Sequence, residues 1–132
     1  MIARSAKNGV LAGHFFGPRR AKVPDLLDLS TLSPEDALLI GHFGSLGVET
    51  GSWPVLGVLP GWDRDLWRMP PLYRYQEIND AAYRVEYDDL DPSRRLNEVR
   101  VSVNEAIGRP RASLMGDVFA QNRLERIMRT GS

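Results

Sequence analysis

Ala82-Tyr83-Arg84-Val85-Glu86-Tyr87 decides the fold class, because apolar and charged side chains alternate along it with a period of two. Tyr83, Val85 and Tyr87 take one face of an extended chain, and Arg84, Glu86 and Asp88 take the other. Asn79-Asp80 before the run and Asp91-Pro92 after it supply turns. Toward the C-terminus, Val99, Val101 and Val103 continue the alternation, so residues 96–103 are expected to pair with this strand through the 88–95 loop. Ser102 and Glu105 have the spacing of a capping box over one short turn. Beyond them, Val118, Leu124, Ile127 and Met128 predict a helix over residues 118–129, with Asp117 as N-cap and Gly131 past its end.

Toward the N-terminus, Gly9-Val10-Leu11-Ala12-Gly13-His14-Phe15-Phe16 reads as an apolar strand stopped by Gly17-Pro18. A second buried strand is expected at Leu38-Leu39-Ile40-Gly41-His42-Phe43. The two share the pattern Leu-x-Gly-His-Phe, which suits neighbouring strands that need small glycines and a large aromatic. Ser33-Pro34-Glu35-Asp36 signals a short helix: a capping hydroxyl, proline at the first position, then acids. Trp53-Pro54-Val55-Leu56-Gly57-Val58-Leu59 is expected to be a short strand ended by Pro60-Gly61. Residues 62–72 read as an ordered loop that Pro70-Pro71 keeps extended. The expected architecture is mostly β (α+β): one small domain with its core at about residues 9–129. It has antiparallel strands, a short helix after Ser33 and a C-terminal helix.

Composition bounds the function. The chain has 132 residues, 42% hydrophobic and 26% charged, which fits one globular domain and excludes coiled-coil and disordered classes. No apolar run is long enough to span a bilayer, so no membrane association is expected, and no secretory leader is read at the N-terminus. With no cysteine, disulfides, thiolate zinc sites and a cysteine nucleophile are excluded. This fits a reducing cytoplasm. Seventeen basic and seventeen acidic residues cancel, so nothing draws the chain to nucleic acid. Their order is uneven, however. Residues 77–91 hold six acids against Arg84 alone, whereas eight arginines and four acids follow Pro92. Such runs are either solvated faces that neutralise one another in the fold or an acidic surface offered to a basic partner.

Catalytic signals are weak. His14 and His42 are the only imidazoles and lie on separate strands, so hydrogen-bonded structural histidines are favoured over a metal pair. Asp88-Asp89-x-Asp91 lacks the glycine and closing glutamate of a calcium loop and reads as a hairpin turn. Phe43-Gly44-Ser45-Leu46-Gly47 misses the nucleophile-elbow pattern, and no phosphate-binding glycine loop is present. No enzyme, metal or cofactor is therefore expected. Trp53, Trp62 and Trp67 lie close together in sequence; burial is expected for Trp53. Trp62 and Trp67 either staple the loop or form an exposed stacking platform.

The run Gly51-Ser52-Trp53-Pro54-Val55-Leu56-Gly57, the later Met69-Pro70-Pro71, the strand at 83–89 and the segment at 118–128 follow one another in order. With the opening strand at 9–16, they resemble immunity protein family 26 of bacterial polymorphic toxin systems. The resemblance implies a small, mostly β cytoplasmic protein that protects its producer by binding a cognate toxin. It carries over no catalytic residue. Trp53, Pro54, Gly57, Pro70 and Pro71 read as fold determinants, with Gly51 and Gly57 allowing turns or close approach.

A nuclease toxin has a basic active site, to which a clustered negative surface is steered and which it can occlude. The candidate surface is Glu86, Asp88, Asp89 and Asp91, joined by Asp63, Asp65, Trp62 and Trp67 of the tryptophan loop. The competing expectation is a small β-rich domain that binds a sugar or nucleotide on exposed Trp62 and Trp67. A third class, a small hydrolase using His14 or His42, has no motif in its favour.

Overall fold

The computed structural model describes residues 1–130. In chain order the strands are β1 (Ile2–Lys7), β2 (Val10–Phe15), β3 (Leu39–Gly44), β4 (Leu72–Gln76), β5 (Ala81–Tyr87), β6 (Arg95–Val101) and β7 (Leu114–Met115). Helices are α1 (Leu26–Leu29), α2 (Leu46–Glu49), α3 (Val103–Ala106) and α4 (Asp117–Thr130), with single 3-10 turns at Pro34–Asp36 and Glu77–Asn79. Strand exceeds helix, 30% against 23%, and the molecule is a small single-domain α+β fold. One sheet has the order β1-β2-β3-β7 and the other β4-β5-β6. The pairings between these strands are antiparallel except β3 with β7, and a lone parallel bridge joins Tyr73 of β4 to Arg111.

The shared Leu-x-Gly-His-Phe pattern has a direct physical reading. β2 and β3 are neighbours in a register that sets Gly13 opposite Gly41, Leu11 opposite Phe43 and Phe15 opposite Leu39. Alternation sends these residues to one face, where Leu11, Phe15, Leu39 and Phe43 are buried with Met115 and Ala120. Leu124 and Ile127 of α4 close that core. A Cβ on Gly41 would stand 2.8 Å from Met115 Cε, so glycine there lets β7 and its methionine approach. The opposite face carries Ala12, His14 and His42 toward the second sheet, where Leu72, Ala82 and Val85 are buried. The layers are thus helix, four-stranded sheet, three-stranded sheet.

Several expected elements are present. β5 and β6 form the expected hairpin, and Ser102 Oγ accepts from Glu105 N at 3.2 Å to cap α3. Ser33 opens a single 3-10 turn, held by Ser33 N and Oγ, each donating to Asp36 Oδ2 at 3.1 Å. Others differ. Asp117 is the first helical residue rather than the N-cap, and the stop at Gly131 lies outside the described residues. Residues 53–71 contain no strand. Pro54 removes a donor, and Gly57 sits at φ +132° against Leu26, so this stretch cannot join a ladder. Trp53 is half-buried and packs edge-on to Phe15 at 5.5 Å, over the bare face of Gly47. β1, β4 and β7 were not expected. β1 lies before the anticipated core, and β7 is too short to show a period.

Candidate functional site

The site is built around Arg4, which the sequence reading passed over. β1 shifts register against β2 between Ala3 and Ser5, so Arg4 occupies a bulge, and its side chain is buried rather than outward. Its Nη1 donates to the carbonyls of Arg64 at 2.8 Å and Trp67 at 2.7 Å, while Nη2 donates to the carboxylate of Asp89. Asp89 also accepts from Arg64 Nη1 at 3.3 Å. The guanidiniums of Arg4 and Arg64 lie 6.0 and 5.8 Å from the centre of the Trp62 ring. A planar fork with several donors suits this task, because it satisfies two carbonyls and a carboxylate together.

The tryptophan loop and the 88–95 hairpin tip are thereby fastened side by side. Between the sheets they bound a cleft of about 240 Å³, lined among others by Arg4, His42, Pro70, Pro71, Glu86 and Asp89. Trp67 is 2% exposed and meets His14 edge-on at 5.3 Å, so its ring has no face open to a ligand. Trp62 is half-buried beneath the two arginines. His14 Nε2 is buried and makes no hydrogen bond among the described residues, unlike the hydrogen-bonded histidine expected. Burial, and then the charge of Arg4, push its pKa down to about 4. His42 packs on Tyr87 at 4.4 Å, and burial lowers its pKa also.

The candidate acids are mostly paired. Asp88 lies 3.5 Å from Arg94, Asp91 4.0 Å from Lys7 and Asp65 3.8 Å from Arg68. Several also shape the backbone: Asp88 accepts from Leu90 N at 2.8 Å, Asp91 from Ser93 N at 3.0 Å and Asp63 from Asp65 N at 2.8 Å. The Ser93 hydroxyl is the largest cause holding Asp91 below the usual carboxylate range. Glu86 is exposed and, with Asp63, has no ion pair among the described residues. The loop exposes Val55, Val58 and Leu66, and the hairpin tip exposes Leu90. Among the described residues no group of three or more His, Cys, Asp or Glu is placed to hold a metal ion, and no helix is long and apolar enough to cross a membrane.

Compared with family models, curated proteins and solved structures, the chain matches none. The likeness to the immunity family rests on the residues quoted for it.

Proposed function

We propose that this chain is a cytoplasmic immunity protein that binds a cognate bacterial toxin and neutralises it by covering the toxin's active site, without chemistry of its own. The observation that carries the reading is the Arg4–Asp89–Arg64 junction. It fastens residues 64–67 of the long loop to the acidic hairpin tip, where Leu66 and Leu90 are exposed together with carboxylates. Long ordered loops with no regular structure are where binding resides, and pre-fastening them lowers the ordering cost of association. Val55, Val58, Leu66 and Leu90 supply area to exclude water. Glu86 and Asp63 are the acids left to meet a basic active site, such as that of a nuclease.

The paired acids set orientation more than attraction, because their charge is largely met within the protein. The burial of Trp67 weighs against a stacking platform for sugars or nucleotides. Against a hydrolase, His14 is a weak base enclosed by Trp67 and Arg4.

The test is a pull-down from the native organism with tagged protein, read by mass spectrometry. Recovery of one large secreted protein with a C-terminal toxin domain is the expected result. Glu86→Lys and Val58→Asp should then each weaken capture while leaving the melting curve unchanged. Capture untouched by both variants would remove this face from the interface, and the lack of any toxin prey from cells expressing one would remove the reading.

A further inference from the structure

On the far side of the four-stranded sheet, a groove of about 300 Å³ runs between α4 and the 107–113 segment. Its floor is apolar. Leu39 and Met115 are buried there, while Phe119 remains 56% exposed and Ile127 is half-buried. Its walls hold Arg109, Arg111 and Arg123, and none of the three makes an ion pair or side-chain hydrogen bond among the described residues. Elsewhere, Arg4 meets Asp89, Arg74 meets Glu98 and Arg84 meets Glu105. Burial and the guanidiniums of Arg111 and Arg126 lower the pKa of Arg123, so positive charges crowd here against their own repulsion. An anion seated among them relieves that repulsion and replaces the water lost by Arg123.

We propose that this groove binds a small organic anion, with a carboxylate or phosphate head held by Arg109, Arg111 and Arg123 and an apolar body laid on Phe119 and Ile127. Guanidinium forks match the planar, two-oxygen geometry of such heads. The apolar floor gives a bare inorganic ion no reason to prefer this place, whereas a hydrophobic body gains by covering it. The volume stands at the lower limit for small-ligand pockets, roughly 300 Å³, which suits one compact body rather than a polypeptide. The inference is independent of the immunity reading, because α4 and the 107–113 segment belong to neither the tryptophan loop nor the 88–95 hairpin.

Calorimetric titration of the full chain tests it, using 1-naphthyl phosphate and decanoate as probes, with 1-naphthol and inorganic phosphate as their halves. Both whole probes should saturate one site, and each half should bind at least about tenfold more weakly. Arg111→Gln/Arg123→Gln should abolish binding without lowering the melting temperature, since it removes a like-charge contact. Phe119→Ala, at a half-exposed position, should weaken naphthyl phosphate but not inorganic phosphate. The proposal is overturned if neither whole probe saturates, if the arginine variant still binds, or if phosphate alone binds equally well. It is also overturned if a synthetic peptide alternating glutamate and phenylalanine binds the same arginines about tenfold more tightly than either probe; the occupant is then a protein segment.

Discussion

Arg4 and Asp89 stand 85 positions apart and meet as an ion pair whose guanidinium is buried and whose carboxylate is 47% exposed. The asymmetry assigns different weights to the partners. Arg4 is shielded from water, and its Nη1 and Nη2 donors are met by Asp89 and two backbone carbonyls, while its buried Nε has no partner among the described residues. Asp89 retains solvent and a second cation, Arg64.

Removing the buried partner is therefore the more damaging change. Arg4→Met keeps the stem but strips the carbonyls of Arg64 and Trp67 of this donor, leaves Asp89 to Arg64 and solvent, and should cost about 2–3 kcal/mol in urea unfolding. Asp89→Asn, on the half-exposed side, should cost about 1 kcal/mol or less. Arg4→Lys should recover less than half of the loss, because one ammonium cannot span three acceptors arranged for a fork. Equal costs for Arg4→Met and Asp89→Asn would show that the carbonyl bonds contribute nothing.

Acid sensitivity follows from His14. Its pKa is about 4 in the fold and 6.5 as the ordinary value, so the unfolded chain binds its proton first. The stabilisation is full above about pH 6.5 and is lost as pH falls toward 4, amounting to roughly 3 kcal/mol across that window. His42, also lowered by burial, acts in the same direction. Urea midpoints measured from pH 7 to pH 4.5 should fall less steeply in His14→Phe than in the wild type. Parallel slopes would mean that His14 takes up its proton at the same pH in the folded as in the unfolded chain.

Two glycines separate space from propensity. A Cβ on Gly47 would lie 2.7 Å from the Trp53 ring, which is fixed against Phe15, whereas a Cβ on Gly13 crowds the flexible Met1 side chain at 2.8 Å and meets the Ile2 carbonyl at an ordinary 3.4 Å. Gly47→Ala should destabilise by about 1–3 kcal/mol, even though alanine is the better helix former. Gly13→Ala should lie within about 0.5 kcal/mol of wild type. Thermal melts of the two variants decide it.

The hairpin acids can be tested without breaking the turn. Asp88→Asn/Asp91→Asn keeps a side-chain oxygen for Leu90 N and Ser93 N while removing the charges. With a toxin in hand, this pair should change the association rate less than about twofold at low salt, whereas Glu86→Lys should slow it severalfold. The reverse order would show that the turn acids, and not Glu86, steer the encounter.

Elements with a strong local signal were legible in the sequence: the period-two run of β5 and β6, the matched strands β2 and β3, and the C-terminal helix. What escaped notice depends on distant partners. β4 is Leu-Tyr-Arg-Tyr-Gln, a strand by virtue of its pairing with β5 more than its own alternation. Residues 53–59 looked like a strand because Trp, Val and Leu prefer sheets, yet Pro54 and Gly57 leave them no ladder to join. At the site, the acids and tryptophans were visible but their common clasp was not. Arg4 looks like any surface charge near a terminus, and nothing local marks the bulge that turns it inward.

The parallel pairing of β3 with β7 has a consequence for synthesis. The hairpin of β2 and β3 is complete once residue 44 has been made. Its oily face, however, waits for Met115, Ala120, Leu124 and Ile127 before it is covered. A ribosome that has made residues 1–88 thus holds this sheet with only Val48 and Trp53 against its oily face. Packing of this face is completed only after residue 127 has emerged, and its uncovered part is open to aggregation during that interval.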